Sequence, residues 1–385
     1  MDGFATIGQR DSRDGLGSGQ QSDRDLRLDA CRGIALWFIF LDHVPNNVGS
    51  WLTLRHYGFS DTTELFMFVS GITCALAYRK VQACDGWRAV ICHTIRRGFE
   101  IYVAFLALTV ACVVMVYLLG GGGFADETNT RVLFEHPGPA LARAVILQYR
   151  PVNTDVLPTF VIFHLLFAPL LWLLLNVPRL ALAASFLLYA LVQLFGWNLP
   201  QWPRNEWYFN PFAWQFLVVL GAGWEIADRK KLRPWLMSRA MTGCAVLYLL
   251  FAFAVALSWS FKPLEAAIPQ ALAKFMYPID KSNLDPLRLL HFLAIAVLVA
   301  KFVPRDWKGL TTPILRSAVR CGENSLEIYC AGVLLALAAH ALLVRVSADI
   351  AMQVAVSAGG VLALIAIATV LTRLKVESGS EPRLF

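Results

Sequence analysis

The stretch FIFLDHVPNNVGSW, Phe38 to Trp51, lies in the first strongly apolar part of the chain. Asp42 and His43 stand side by side among Ile, Phe, Leu and Val, with Pro45 just behind them. In water such a pair would be ordinary. In lipid, a charged side chain at a helix centre costs about 2.5–3.5 kcal/mol on insertion scales and marks a functional site by default. Composition decides which solvent applies. Of 385 residues, 57% are hydrophobic and only 16% charged, where a soluble domain averages about 25% charged. The mean hydropathy is +0.55. The expected fold is therefore all-α, a polytopic integral membrane protein, and the Asp-His pair is placed within a membrane.

A bilayer core of about 30 Å needs about 20 mainly apolar residues per helix. Ten stretches qualify: roughly 33–54, 58–78, 98–119, 156–175, 180–197, 210–227, 236–260, 287–303, 322–344 and 350–372. Basic residues orient them. RKVQACDGWRAVICHTIRR, DRKKLRPWLMSR and KFVPRDWKGLTTPILRSAVR each carry five Lys or Arg, whereas 120–155, 198–209 and 261–286 carry at most three. That asymmetry gives an N-in, C-in, multi-pass chain. The polar residues 1–26 read as a disordered cytoplasmic tail without a cleaved signal peptide, 27–375 as one membrane domain, and 376–385 as a second cytoplasmic tail. The net charge of +7 is concentrated in these loops, which argues against nucleic acid as a partner. The cysteines fall in cytoplasmic segments or within helices, so no disulfide framework is expected. The seven His are scattered and no CxxC occurs, so no metal site is expected either.

His43 follows Arg32 by eleven residues, about 16 Å along a helix. Asn46 and Asn47 add polar density beside the pair, as a water-accessible cavity would require. A kink at Pro45 would let the Asp42 carboxylate reach the imidazole, fixing its tautomer and raising its basicity. A general base in an enzyme and a proton relay in a transporter both fit. RHYGFSDTTELFMFVSG sets Asp61 and Glu64 on one helical face, with Ser70-Gly71 deeper, where small residues permit close packing. The loop beyond carries Arg79, Lys80, Arg88, Arg96 and Arg97; it suits topology alone, or a donor bearing several phosphates. QYRPVNTDVLPTFVIFH brings Arg150 and Asp155. WYFNPFAWQFLVVLG brings Asn210, Trp214 and Gln215, where an aromatic face beside amides suits a sugar ring and equally an interfacial belt. LRLLHF contributes Arg288 and His291, and CGENSLEIYC contributes Ser325 and Tyr329.

These motifs together carry a resemblance. RLDACRGIALWFIFLDH resembles the start of the membrane acyltransferase-3 superfamily, in which an Arg precedes a functional His by the spacing of Arg32 and His43. ELFMFVSG resembles its second-helix motif, and Gly322, Ser325 and Tyr329 match a late G-x-x-S-x-x-x-Y motif. More narrowly, DHVPNNVGSWLTLRHYGFSDTTELFMFVSG, RPVNTDVLP, NPFAWQFLVVLG and LRLLHFLA are similar to the OpgC branch, which succinylates osmoregulated periplasmic glucans. Many superfamily members have a His shortly after the late Tyr; here Cys330-Ala331-Gly332 follow.

The resemblance implies an acyl-CoA co-substrate, succinyl-CoA, entering from the cytoplasm, no bound cofactor, and a periplasmic glucan acceptor. It implies His43 and Asp42 as catalytic groups and Arg32, Arg88, Arg96, Arg97, Ser325 and Tyr329 around the donor. Asn46, Arg55, Asp61, Glu64, Arg150, Asp155, Asn210, Trp214, Gln215, Arg288 and His291 are then candidates for the acceptor or the acyl group. Arg55, Arg150 and Arg288 could meet a free succinyl carboxylate. An O-acetyltransferase of another surface polysaccharide and a proton-coupled transporter are the alternatives, and a homodimer is compatible with the reading.

Overall fold

The structure is a computed structural model that describes residues 25–203, 206–227, 234–304 and 307–378. Among the described residues ten principal helices make the frame: α1 (Leu26–His43), α2 (Thr62–Leu118), α3 (Val156–Asn176), α4 (Pro178–Phe195), α5 (Pro211–Ile226), α6 (Arg239–Ser260), α7 (Pro286–Phe302), α8 (Pro313–Glu323), α9 (Ser325–Arg345) and α10 (Ile350–Glu377). Among the described residues no strand forms, and the only β-type pairing is an isolated bridge between Pro200 and Glu206. The helices α2, α3, α4, α6, α9 and α10 are long and apolar enough to cross a membrane. The all-helical membrane architecture expected from composition is thus present.

Three local features differ from the sequence expectation. The first helix was expected to run to residue 54, but α1 ends at His43 and Val44 is extended, with φ −88° and ψ 109°. The cause is local: the ring of Pro45 disfavours helical geometry at the residue before it. Asn46 then takes a positive φ of 53°, and residues 48–56 form two short 3-10 turns. Asp42 and His43 therefore close the helix rather than lie in its middle. Secondly, the expected loop between the second and third spans is helical. α2 runs 57 residues and breaks only at Gly86, whose φ of 79° and ψ of −176° no helix contains; glycine meets that geometry without steric cost. Thirdly, the late helix breaks at Asn324 between α8 and α9.

The expected tails fall mostly outside the described residues; Asp25 caps α1 through the Arg27 N–H, and α10 continues to Glu377. All eight cysteines are free.

Two glycine-mediated crossings fix the core. Gly33 on α1 faces the Ala318 carbonyl of α8, and Gly322 on α8 faces the Asp29 carbonyl of α1; a Cβ at either would sit within about 2 Å of that oxygen. Gly71 on α2 and Gly221 on α5 make the same reciprocal contact against Val218 and Phe68. Small residues are how helices gain close van der Waals contact where no hydrophobic drive separates helix from lipid. These crossings hold α1 beside α8 and α9, and α2 beside α3 and α5. The space left between α1, α2, α3 and α9 is where the polar residues gather.

Candidate active site

A cavity of about 920 Å³ opens at the His43 end of α1. Its wall includes Asp42, His43, Arg55, Asp61, Asp155, Arg288 and Tyr329. His43 reaches it because the helix stops there. The imidazole makes no hydrogen bond to the protein among the described residues, and its buried Nδ1 has no partner. Asp42 does not bond to His43. Its carboxylate instead accepts from the Thr53 hydroxyl at 2.7 Å, a group that the turn after α1 brings back over the helix end. The expected direct Asp-His contact through a Pro45 kink is thus replaced by two neighbours on one wall.

A charge network forms the opposite polar feature. Asp61 caps α2 through the Thr63 N–H, and Glu64 accepts from the Asp61 N–H at 3.0 Å, a complete capping box. Arg288, from α7, donates to Glu64 at 2.8 Å and to Asp61 at 3.1 Å. Lys281 pairs with Asp61 at 2.5 Å. Burial works against the Lys281 ammonium, but Asp61, Tyr208 and Glu64 together outweigh it, and its pKa lies above the ordinary lysine value. Two cations meet two anions, so Arg288 is already neutralised. Arg150 is buried against Trp207, 4.1 Å from the ring centroid, with Asp155 at 3.7 Å, and is not part of the wall. Of the three arginines considered for an acyl carboxylate, Arg55 alone lines the cavity without a carboxylate partner among the described residues.

A second, narrower cleft of about 50 Å³ lies along α1 toward its start. Arg32, Arg97, Ser70, Thr73, His164 and Ser325 line it. Arg32 bonds Asp29 at 2.6 Å and Arg97 bonds Glu100 at 3.0 Å, yet the Nε of each guanidinium is buried without a partner. A buried unpaired donor costs roughly 1–3 kcal/mol, more when charged, so this cleft has the chemistry of an anion subsite. Phe66, Val156 and Tyr329 belong to both walls. Tyr329 is fixed there by its hydroxyl donating to the Asn153 carbonyl at 2.6 Å.

The remaining expected residues sit elsewhere. Arg88 and Arg96 are exposed on α2, Arg96 pairing with Glu100. Asn46 is exposed and off the cavity wall. Asn210 caps α5 and ties Trp197 to Asn283, while the fully buried Trp214 donates to the Ser282 carbonyl. Gln215 exchanges hydrogen bonds with Ser185 of α4. His291 accepts from Ser60, its hydroxyl at 2.7 Å, under a loop where Gly58 leaves no room for a side chain. None of these four lines the large cavity. Thr53, Lys281 and the cavity aromatics Trp51, Tyr208, Trp259 and Tyr277 were not among the expected residues.

A family model described as OpgC protein matches residues 24–376, nearly the whole chain. The chain belongs to the OpgC family. Family membership implies an acyltransferase-type membrane enzyme of periplasmic glucans. Searches of curated proteins and of solved structures found no match. Within the family frame, the unengaged His43 and the arginine cleft are the two features with chemistry to offer. No group of three or more His, Cys, Asp or Glu side chains is placed to hold a metal among the described residues.

Proposed function

We propose that this OpgC-family chain, as a member of the membrane acyltransferase-3 superfamily, transfers a succinyl group from cytoplasmic succinyl-CoA to hydroxyls of periplasmic glucans across a bacterial inner membrane. One observation carries the reading: an unengaged imidazole faces a large polar cavity that shares Tyr329 with a cleft holding two unpaired guanidinium N–H groups. Arg32 and Arg97 would receive CoA phosphates, since charge-assisted bonds from guanidinium are the strong choice for such groups. The acyl chain would run past Ser325 and Tyr329 toward His43. Arg55 would meet the free succinyl carboxylate, which an acetyl group lacks.

In this scheme the imidazole of His43 removes the proton of the sugar hydroxyl as that oxygen attacks the thioester carbonyl. The carbon–sulfur bond breaks, and the CoA thiolate leaves with the proton that returns from the imidazolium. Asp42, held by Thr53, supplies negative charge nearby while the imidazolium exists. Among the described residues, counting the two arms of α2 separately and leaving out the amphipathic α8, the principal helices number ten, which suits a ten-span, N-in, C-in chain.

The test is His43→Ala in cells whose periplasmic glucans are then weighed by mass spectrometry. General-base removal costs about 10²–10⁴-fold in rate, so the succinyl increment should vanish while the protein still accumulates in the membrane. Normal succinylation in that strain would refute the role of His43, and an acetyl increment in the wild type would reassign the donor.

A further inference from the structure

Four exposed aromatic side chains on the large cavity remain without a role in this chemistry: Trp51, Tyr208, Trp259 and Tyr277. Each is exposed by about two fifths or more, with Trp51 at 45% and Trp259 at 48%. They come from separate parts of the chain, the segment after α1, the segment before α5, the end of α6 and the segment before α7. They are also held in place. Trp51 stacks on His56 at 4.4 Å with the rings 13° apart, and the Tyr57 hydroxyl donates to its carbonyl. The Trp259 Nε1 donates to the Tyr277 hydroxyl at 2.6 Å.

An interfacial belt is the ordinary explanation for exposed Trp and Tyr in a membrane protein. It suits Trp172, Trp197 and Trp235, which are exposed and lie outside the cavity wall. It does not suit rings that face the same space as Asp42 and His43. Exposed apolar surface rimmed by polar groups marks a binding groove, and rings braced in advance lose little entropy when a ligand lands on them. The matching ligand has apolar faces and hydroxyls around its edge, which describes a pyranose. A volume of about 920 Å³ is at the upper end of the roughly 300–1,000 Å³ usual for ligand pockets, so it suits a few linked sugars rather than one.

We infer that Trp51 and Trp259, with Tyr208 and Tyr277, form a carbohydrate-stacking subsite that holds consecutive glucose units of the acceptor so that one hydroxyl meets His43. This deepens the proposed function and rests on its acceptor assignment. The stacking faces bind the sugar ring itself and take no part in bond making, so their loss should fall on acceptor affinity. Removing binding shared by ground and transition states raises KM and leaves kcat nearly intact.

The experiment uses the purified full chain in nanodiscs, with periplasmic glucan stripped of acyl groups by mild alkali as the probe. Calorimetric Kd and steady-state kinetics are measured for wild type, W51L, W259L, W51F and the control W172L. Trp51→Leu and Trp259→Leu should each raise Kd and acceptor KM roughly three- to tenfold, the range expected for loss of an aromatic contact, with the donor KM unchanged. Trp51→Phe should lose about two- to threefold, and Trp172→Leu nothing. Wild-type Kd in both leucine variants, or no glucan binding by the wild type, overturns the subsite. Should a leucine variant aggregate, Trp51→Phe decides, and unweakened binding there overturns it too. Glucan binding that depends on Trp51 and Trp259 without any acyl transfer would instead sink the proposed reaction and leave the subsite standing.

Discussion

The two spaces along α1 differ in kind. The cavity at His43 is wide, and most of its charge is paired: Asp61 and Glu64 are matched by Lys281 and Arg288. The cleft at Arg32 has about a twentieth of that volume, and its arginines keep buried N–H groups unmatched. One space can take a polymer segment now. The other has electrostatic demand without the room, so a phosphorylated donor would have to part the walls, and the shared residues Phe66, Val156 and Tyr329 are where parting would join the two. The contrast teaches that charge pairing, more than charge count, separates a structural arginine from one waiting for a ligand.

The comparison breaks first if Arg288 is not structural. Arg288→Met leaves Asp61 and Glu64 buried with Lys281 alone. Removing one partner of a buried pair costs about 3–5 kcal/mol, so the variant should accumulate poorly and unfold at clearly lower temperature in detergent. An unchanged melting midpoint with lost activity would instead move Arg288 into substrate binding. Next in size is Arg97→Ala in the cleft. Loss of a charged contact of ~1.5–3 kcal/mol should raise the KM for succinyl-CoA roughly ten- to hundredfold, with the glucan KM unchanged. Equal KM in variant and wild type would empty the cleft of its proposed role.

Arg55 sharpens the comparison from the cavity side. It is an exposed cation on the wall, and exposed ion pairs are worth about 0.2–1 kcal/mol. Arg55→Gln should therefore weaken preference for succinyl-CoA over acetyl-CoA by roughly two- to fivefold in competition assays. A preference that does not move would leave succinyl selection to another group.

Much of this was legible in the chain. Apolar length anticipates α3 to α7 and α10 closely, because an unbroken apolar run favours one continuous helix. The end of α1 was misplaced because Val44 to Leu54 reads as apolar on average, while the single proline at 45 overrides the average at Val44. Asp61 and Glu64 were visible through their spacing. Lys281 was not, since it lies 220 residues from its partner in a loop without periodic pattern. The sequence points to Trp214, beside Asn210 and Gln215, as the sugar-facing aromatic. A short apolar helix does not reveal which face meets the cavity, and Trp214 turned out fully buried. The useful aromatics stand in irregular segments and at a helix end, where no local rule aims a side chain.

The smallest expected effect separates the two meanings of a basic run. Arg88 and Arg97 lie on the same helix past and around the Gly86 break, nine residues apart, and composition treats them alike. Arg97 has a side chain only 14% exposed and lines the cleft; Arg88 is exposed and lines neither space. Surface substitutions away from special features stay within about ±0.5 kcal/mol, which is little more than twofold in any binding constant. Orientation in a membrane depends on the summed basic charge of a segment, so one loss among five should not invert the chain. Arg88→Ala should then leave the succinyl-CoA KM within about twofold of wild type, measured beside Arg97→Ala in the same nanodisc preparation. A tenfold rise at Arg88 would mean that the donor's phosphates extend beyond the cleft to the surface of α2, and that exposure is a poor guide to which arginines the donor uses.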